Sequence, residues 1–210
     1  MRIQAAIDRV TVERAAEIIE QIGDAADIIE IGTSLIKEYG ISGSVRALKE
    51  RFPGRCFLAD IKTCDEGAYE FEKVYEAGAD IATVMGFSSM DTIASCADIA
   101  RKYQKEYFID LLEVEGDRLG LLADRFPDAI FGIHLASDKG GKGLENLVQH
   151  MCEILKGVPK IAAAGGVRLE TLGLMKDCGV DTVIVGGAIT KAPDIHEAAS
   201  AFASGAKDKG

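Results

Sequence analysis

Short apolar runs alternate with amphipathic stretches along the whole chain. Eight runs of strand length, rich in Ile, Val, Phe or Ala, begin at Ile3, Asp27, Cys56, Asp80, Tyr107, Ala129, Lys160 and Thr182. Most of them lack the strict alternation of apolar and polar residues that marks a half-exposed strand. We therefore expect strands that are covered on both faces, as in parallel sheets flanked by helices.

The stretches between these runs place apolar residues at helical spacing. This pattern predicts helices near residues 12–22, 68–77, 92–103, 117–125, 144–155, 169–177 and 194–203. Several of the stretches stop at a glycine directly before the next run, as at Gly78 and Gly179. Glycine there is typical of a helix that ends in the left-handed conformation.

The alternation predicts the fold class. Strands joined by helices need right-handed crossovers and parallel pairing, and eight such units indicate a single (β/α)8 TIM barrel. We assign residues 1–204 to the barrel domain and residues 205–210 to a frayed C-terminal tail. A doubly wound open sheet is the alternative, but its glycine fingerprint is missing after the first run, where Asp8-Arg9-Val10 stands.

Composition and charge narrow the classes of function. The 210 residues carry 34 acidic and 24 basic side chains, a net charge of −10, which disfavours nucleic acid as a partner. No run approaches the roughly 18 apolar residues of a membrane span. The charged N-terminus does not resemble a signal peptide, so we expect a cytoplasmic protein. The five cysteines form no C-x-x-C pair and are expected to be reduced.

Ionisable residues interrupt or end five of the apolar runs. A charge within a buried strand is costly unless it is paired or binds a ligand. The carboxyl ends of barrel strands converge on one mouth, where such partners are available. Asp60 and Lys62 lie on one face of their strand, and Glu30 shares its face with Ile28. The full set is Asp8, Glu30, Asp60, Lys62, Asp110 and His134.

Structural roles compete with catalytic ones for three residues. Asp8 could cap the helix that begins near Thr11, and Asp65 could be the N-cap of the helix after the third strand. His134 could be a hydrogen-bonded histidine of the core. The remaining histidines, His150 and His196, lie in polar helical settings and are expected at the surface.

The residue types in this set favour proton abstraction beside a carbonyl. Glu30 and Asp60 are hard oxygen ligands suited to Mg²⁺. A divalent ion together with Lys62 could stabilise an enediolate. His134 has the pKa range needed to move a proton at neutral pH. Asp110 could orient Lys62 or share its charge.

Two Gly-Gly pairs end the last two runs. Gly165 and Gly166 end the seventh, and Gly186 and Gly187 end the eighth. Barrels commonly bind a phosphate at the loops after these strands, through backbone N–H groups. The alternative, a pair of tight turns, explains one Gly-Gly better than two in equivalent positions. The sequence thus predicts a phosphorylated substrate.

The segment Asp60-Ile61-Lys62-Thr63-Cys64-Asp65 fits the D-x-K-x-x-D motif of the orotidine-5′-phosphate decarboxylase suprafamily. The chain resembles the branch that contains 3-hexulose-6-phosphate synthases and 3-keto-L-gulonate-6-phosphate decarboxylases, and this resemblance runs along its whole length. It implies Mg²⁺ held by Glu30 and Asp60, Lys62 at the enediolate and His134 as the proton carrier. It further implies that Asp8 binds substrate hydroxyls and that the two Gly-Gly pairs hold the phosphate.

The resemblance also implies a homodimer with shared active sites, in which Asp65 reaches into the site of the neighbouring subunit. Within the branch, Asp110, Ala164, Ser137 and Gly187 stand where the decarboxylases usually carry other residues, and they favour the synthases. Leu135-Ala136-Ser137-Asp138 departs from the synthase pattern, and the role of the loop from Leu135 to Gly143 stays open.

The expected reaction is the reversible aldol joining of ribulose 5-phosphate and formaldehyde. Decarboxylation of a 3-keto sugar-acid phosphate is the alternative within the class, because loss of CO₂ forms the same kind of anion. A non-catalytic sugar-phosphate-binding protein is the alternative from another class. It predicts decay of the Lys62 motif, which is intact.

Overall fold

Eight parallel strands close into a barrel in which each strand pairs with the next and β8 pairs with β1. The computed structural model describes residues 1–136, 138, 140 and 142–207. The predicted (β/α)8 TIM barrel is thereby confirmed. The strands are β1 (Arg2–Ile7), β2 (Ile28–Ile31), β3 (Phe57–Thr63), β4 (Ile81–Met85), β5 (Glu106–Asp110), β6 (Ile130–His134), β7 (Ile161–Ala164) and β8 (Thr182–Val185).

The helices cover the outside of this barrel. They are α1 (Val12–Ile22), α2 (Thr33–Ile41), α3 (Ala47–Arg51), α4 (Gly67–Glu76), α5 (Met90–Tyr103), α6 (Asp117–Arg125), α7 (Leu144–Ile154), α8 (Leu172–Asp177), α9 (Gly187–Thr190) and α10 (Ile195–Lys207). In the described part of the chain, no helix combines the length and the apolar character that a membrane span requires.

The segment between β2 and β3 differs from a regular alternation of one strand and one helix, and the C-terminal helix is longer than predicted. Between β2 and β3 the chain forms α2, a π turn at Ser42–Arg46 and α3, because Gly40 adopts a non-helical conformation inside the first of these helices. At the C-terminus, α10 runs to Lys207, so the boundary predicted at residue 204 is wrong. Ala206 is buried against the core, which holds this last turn in the helix. Residues 208–210 lie outside the described part.

The apolar core is divided into two layers by the barrel wall. Inside the barrel, a small cluster fills the space below the mouth, and Ile28, Leu58, Ile81, Phe108, Ile130 and Ala162 form it. The larger cluster packs the outer faces of the strands against the helices. Ile29 and Ile31 belong to this outer layer, whereas Ile28 points inward. The predicted face of Glu30 is therefore confirmed, because Glu30 alternates with Ile29 and Ile31.

Phe108 fits inside the barrel because the neighbouring strand carries Gly132. A Cβ atom on Gly132 would lie 2.0 Å from the Phe108 ring, which is far inside van der Waals contact. The ring is buried and lines the floor of the cavity at the mouth. Phe108 and Gly132 therefore form one packing unit beneath the candidate site.

We expect Gly132→Ala to lower the free energy of unfolding by about 1–3 kcal/mol, since the added methyl group overpacks the barrel interior. The matched control is Gly120→Ala in α6, where a Cβ atom meets nothing within 4 Å. There the substitution should stabilise by about 0.5–1 kcal/mol, because alanine has the higher helix propensity. Urea unfolding of both variants tests the prediction, and equal stability of Gly132→Ala and the parent chain would contradict it.

Candidate active site

The residues predicted from the strand ends converge on one cavity of about 720 Å³ at the carboxyl end of the barrel. Its walls include carboxylates, a lysine and a histidine from the strands, and the two Gly-Gly pairs from the last two loops. The predicted residues that line it are Asp8, Glu30, Asp60, Lys62, Asp110, His134, Gly165, Gly166, Gly186 and Gly187. Asp65 is exposed and does not line this cavity.

Lys62 extends from an irregular end of β3. The register of β3 against β4 shifts between Ala59 and Thr63, and Lys62 itself has a left-handed φ of 50°. Its backbone N–H donates to Thr83 Oγ1 at 2.9 Å, which compensates for the broken ladder. This bulge aims the side chain at the mouth of the barrel, and the predicted shared face of Asp60 and Lys62 is confirmed by their direct contact.

The Lys62 ammonium group lies between two carboxylates. Its Nζ is 2.9 Å from Asp60 Oδ2 and 3.2 Å from Asp110 Oδ2. Burial lowers the pKa of Lys62, but the charges of Asp60 and Asp110 raise it by more, so the net pKa lies above its ordinary value. Lys62 is therefore a permanent cation at neutral pH.

Asp60 is fixed by two threonines as well as by the lysine. Thr33 Oγ1 donates to Asp60 Oδ2 at 2.9 Å, and Thr83 Oγ1 donates to Asp60 Oδ1 at 3.0 Å. The residue is 8% exposed, so these bonds replace most of its hydration. The carboxylate is held in one orientation before any substrate arrives.

His134 and Asp110 form the second pair of the site. His134 Nδ1 lies 2.9 Å from Asp110 Oδ2, and the Leu112 backbone N–H donates to Asp110 Oδ1 at 2.9 Å. Burial raises the pKa of Asp110, but the hydrogen bond and charge of His134, together with the charge of Lys62, lower it by more. An ionised carboxylate can only accept, so Nδ1 donates and Nε2 is left as the basic atom. Burial lowers the pKa of His134, yet its bond to Asp110 gives a net increase.

Glu30 is a carboxylate with an unusually high pKa. Burial and, secondly, the negative charge of Asp60 raise the pKa of Glu30 to about 8. Gln4 Nε2 donates to Glu30 Oε2 at 2.6 Å and holds the side chain in place. Two neighbouring carboxylates that repel each other are stabilised when a divalent cation binds between them.

This donor set fits Mg²⁺. The ion usually keeps several water molecules and takes only one or two carboxylates from the protein. Within the described residues no group of three or more His, Cys, Asp or Glu side chains forms a metal cage. Glu30 and Asp60 are thus two carboxylates that could hold Mg²⁺ and leave its other positions to water or substrate.

The loops after β7 and β8 present bare backbone to the cavity. Gly165 and Gly166 have φ values of 104° and 97°, which favour glycine. A Cβ atom on Gly165 would lie 2.3 Å from the Leu135 carbonyl oxygen, so a side chain does not fit there. Gly186 and Gly187 begin the short helix α9. The tight-turn alternative agrees with the left-handed φ values of Gly165 and Gly166. Both Gly-Gly pairs nevertheless line the same cavity, which the phosphate prediction requires.

The capping alternatives for Asp8 and Asp65 are both wrong in the form that the sequence suggested. Thr11 is the N-cap of α1, and its side chain accepts from Arg14. Asp8 instead accepts hydrogen bonds from the backbone N–H and the hydroxyl of Ser34, at the start of α2. The N-cap of α4 is Glu66, not Asp65, although Asp65 Oδ1 accepts from the Glu66 N–H at 2.8 Å.

The sequence predictions for the remaining histidines and for the cysteines agree with the structure. His150 and His196 are exposed, and the five cysteines are free thiols. Ser137, which entered the choice between synthase and decarboxylase, lies outside the described residues, as do Lys139 and Gly141 of the same loop.

Sequence reasoning missed several polar side chains of the cavity. Gln4, Thr33 and Thr83 are uncharged residues whose role follows from their partners, so no local pattern separates them from ordinary strand or helix residues. Arg168 and Lys191 line the cavity near the Gly-Gly pairs. Their position within four residues of these pairs in the sequence is the signal that could have found them.

A closed (β/α)8 barrel whose strand ends carry a lysine–carboxylate–histidine cluster defines the class, an enzyme of the TIM-barrel type. The family profile described as "Orotidine 5'-phosphate decarboxylase / HUMPS family" matches residues 1–202. The chain belongs to this family.

Named relatives refine this result. The 3-hexulose-6-phosphate synthase of Bacillus subtilis (strain 168) is 36% identical over 95% of this chain and 96% of its own length. The enzyme of the same name from Methylomonas aminofaciens is 34% identical over 97% and 98%. A crystal structure of 3-hexulose-6-phosphate synthase from Salmonella typhimurium superposes with a TM-score of 0.90 at 32% identity, covering 98% of each chain.

A 3-keto-L-gulonate-6-phosphate decarboxylase from Vibrio cholerae O1 biovar El Tor is also similar. It has a TM-score of 0.84 at 25% identity and covers 98% of this chain and 96% of that one. The fold, the site and these relatives together place the chain among the lyases of the family.

Proposed function

We propose that this chain is an aldehyde-lyase that joins D-ribulose 5-phosphate and formaldehyde to give a 3-hexulose 6-phosphate, in a reversible aldol reaction through a 1,2-enediolate. The observation that carries the proposal is the arrangement of Lys62 between Asp60 and Asp110, with His134 on the same Asp110 carboxylate. The names of the relatives support the aldol-type reaction.

The chain's own residues can perform the proton transfer and stabilise the anion. His134 Nε2 takes the proton from C1 of the sugar, because Nδ1 is engaged with Asp110. The Lys62 ammonium stabilises the negative charge that develops on the enediolate oxygen. The electron pair left on C1 then attacks the formaldehyde carbon, and the new alkoxide accepts a proton. Asp60 and Asp110 are proposed to hold Lys62 and His134 in this geometry.

Mg²⁺ is proposed as the cofactor, held by Glu30 and Asp60. When bound, it would polarise the substrate carbonyl as a Lewis acid. Burial and, secondly, the charge of Asp60 raise the pKa of Glu30, and a cation bound between the two carboxylates would offset both effects. The hydroxyls of the sugar are assigned to Asp8, and its phosphate to the backbone of Gly165, Gly166, Gly186 and Gly187.

Saturating Mg²⁺ is expected to raise the melting temperature of the parent chain and to leave that of Glu30→Gln unchanged. At 100 times the dissociation constant the stabilisation amounts to about 2.7 kcal/mol. The effect should grow as pH rises towards 8, because Glu30 must lose its proton to bind the ion.

Without Mg²⁺ the same pair of proteins gives a second readout. The pKa of Glu30 is raised from 4.5 to about 8 by folding, so the parent chain should lose stability as pH rises between these values. Glu30→Gln should lack this loss, since its amide carries no proton to release. Calorimetry with and without a chelator measures both effects, and an equal Mg²⁺ response in the two proteins would refute the ligand assignment.

A paired assay tests the reaction itself. Formaldehyde consumption with ribulose 5-phosphate is measured beside CO₂ release from 3-keto-L-gulonate 6-phosphate. We expect the first to exceed the second by at least about 10²-fold in kcat/KM, which corresponds to roughly 2.7 kcal/mol of transition-state stabilisation. The decarboxylase is the second candidate, because residues 135–138 depart from the synthase pattern, and dominant CO₂ release would establish it. Absence of both activities, with sugar phosphate still bound, would indicate the non-catalytic alternative.

The homodimer with shared sites remains part of the proposal. Asp65 is exposed and lies away from its own cavity, and exposed aromatic side chains such as Tyr69 (61%) and Phe87 (52%) could be covered by a second copy. If Asp65 serves the neighbouring site, mixing inactive Lys62→Ala with inactive Asp65→Asn subunits should restore about one quarter of the activity, since half of the dimers are mixed and each has one intact site. No recovery after denaturation and joint refolding would contradict shared sites.

A further inference from the structure

Three cations of the cavity come from neighbouring loops on one side of the mouth. The carboxylates Glu30, Asp60 and Asp110 come from β2, β3 and β5. The cations Arg9, Arg168 and Lys191 follow β1, β7 and β8, which are neighbours in the closed barrel. Asp8 also follows β1, and Lys62 lies among the carboxylates, so the positive charge beside the Gly-Gly pairs is a local feature of the loops after β7 and β8.

Lys191 is the cation that lies on the second Gly-Gly pair. It is the C-cap of α9, and its backbone N–H donates to the Gly187 carbonyl at 3.1 Å. The side chain folds back over that turn, because a Cβ atom on Gly187 would lie 3.6 Å from Lys191 Cδ and 3.9 Å from its Cε. Any side chain at position 187 would therefore contact the aliphatic part of the Lys191 side chain.

No described residue engages the Lys191 ammonium group. Across residues 1–136, 138, 140 and 142–207 it makes neither an ion pair nor a hydrogen bond, although acidic residues outnumber basic ones by 34 to 24. Arg168, the other cation beside the glycines, differs in this respect, since its Nη2 lies 2.7 Å from Glu145 Oε1. Lys191 is thus available to a ligand, whereas Arg168 is already paired.

We infer that Lys191 binds the phosphate group of the substrate and makes the site selective for phosphorylated over unphosphorylated sugars. This inference rests on the proposed function for the identity of the sugar. The backbone N–H groups at the glycines supply dipoles of fixed direction, and the ammonium group supplies the net positive charge that the glycines lack. Binding of the phosphate far from C1 acts equally on substrate and transition state, so it affects KM more than kcat.

The test removes the phosphate from the ligand and the ammonium group from the protein in turn. Lys191→Ala should raise KM for ribulose 5-phosphate, and the inhibition constant of inorganic phosphate, by about 10- to 100-fold, the range of a charge-assisted hydrogen bond. It should leave kcat nearly unchanged and should not weaken the binding of unphosphorylated ribulose. Lys191→Arg should recover most of the affinity. Lys156→Ala, the removal of an exposed lysine beyond α7, is the matched control and should bind both ligands like the parent chain.

Two results would overturn the inference. One is an unchanged inhibition constant for inorganic phosphate in Lys191→Ala; the other is an equal loss of affinity for ribulose and ribulose 5-phosphate. Loss of phosphate affinity in Arg9→Ala, without any in Lys191→Ala, would assign the role to Arg9 instead. If the parent chain shows no turnover of ribulose 5-phosphate, yet phosphate still binds and Lys191→Ala weakens it, the proposed reaction fails and the inference stands.

Discussion

Lys62→Ala is expected to lower kcat/KM for the lyase reaction by about 10²- to 10³-fold, the range found when a single preorganised oxyanion donor is removed. Lys62 Nζ is held 2.9 Å from Asp60 and 3.2 Å from Asp110, so its charge is positioned before the reaction begins. Alanine removes the charge and leaves two buried carboxylates without their shared cation. Steady-state turnover of ribulose 5-phosphate with formaldehyde measures the effect.

Loss of activity through unfolding has to be separated from loss of the donor. Breaking a buried ion pair from one side can cost about 3–5 kcal/mol, and because Lys62 is partly exposed we expect the lower end or less. Circular dichroism and a melting curve of Lys62→Ala therefore accompany the kinetics, and Lys62→Met serves as a variant that keeps most of the packing. Lys73→Ala is the matched control, because Lys73 pairs with Glu76 on the exposed side of α4, away from the cavity. Full turnover in a folded Lys62→Ala protein would exclude the proposed mechanism.

The order of the elements and the inward charges could be predicted from the sequence, because both depend on local periodicity. Glu30 interrupts an apolar run at a position whose neighbours, Ile29 and Ile31, must face the helices, so only the inward face is left. The same argument joins Asp60 to Lys62. Parallel strands then bring their carboxyl ends together without any further information.

The geometry that depends on contacts between distant segments could not be predicted. The bulge that turns Lys62 into the mouth arises from the register of β3 against β4, and no residue in β3 alone specifies it. Asp8 accepts hydrogen bonds from Ser34, 26 positions away in the sequence at the start of α2, and this contact between distant segments leaves no trace in the local pattern. The extent of α10 was underestimated, since the packing of Ala206 is also a tertiary effect.

Asp110 connects the two halves of the proposed chemistry. One carboxylate binds both the lysine proposed to stabilise the anion and the histidine proposed to move the proton. This shared partner keeps Lys62 and His134 on the same side of a substrate. Substitution of Asp110 should therefore affect ionisation of His134 as well as the position of Lys62, and these effects can be measured separately.

Asp110→Asn is expected to move the acid limb of the pH dependence of kcat/KM to lower pH and to lower its plateau by about 10²- to 10⁴-fold, the range of general-base catalysis. The bond to Asp110 raises the pKa of His134 above 6.5, so the parent enzyme should gain activity as pH rises through that higher pKa. Asparagine removes the negative charge, and the pKa of His134 falls. Its amide can also donate to Nδ1, which favours the tautomer in which Nε2 carries the proton and cannot act as a base.

The stability of the same variant provides an independent measurement. Folding raises the pKa of His134 from 6.5, so its part of the pair is fully present below pH 6.5 and is lost as pH rises through the folded value. Folding lowers the pKa of Asp110 from 3.8, so its part is present above pH 3.8 and is lost as pH falls. Asp110→Asn should therefore be most destabilised, relative to the parent chain, between pH 3.8 and pH 6.5, and less so at pH 9. His134→Gln, which abolishes the proton carrier but keeps Asp110, should lose the acid limb altogether. An acid limb that stays in place in Asp110→Asn would show that His134 is not the group whose ionisation controls the rate.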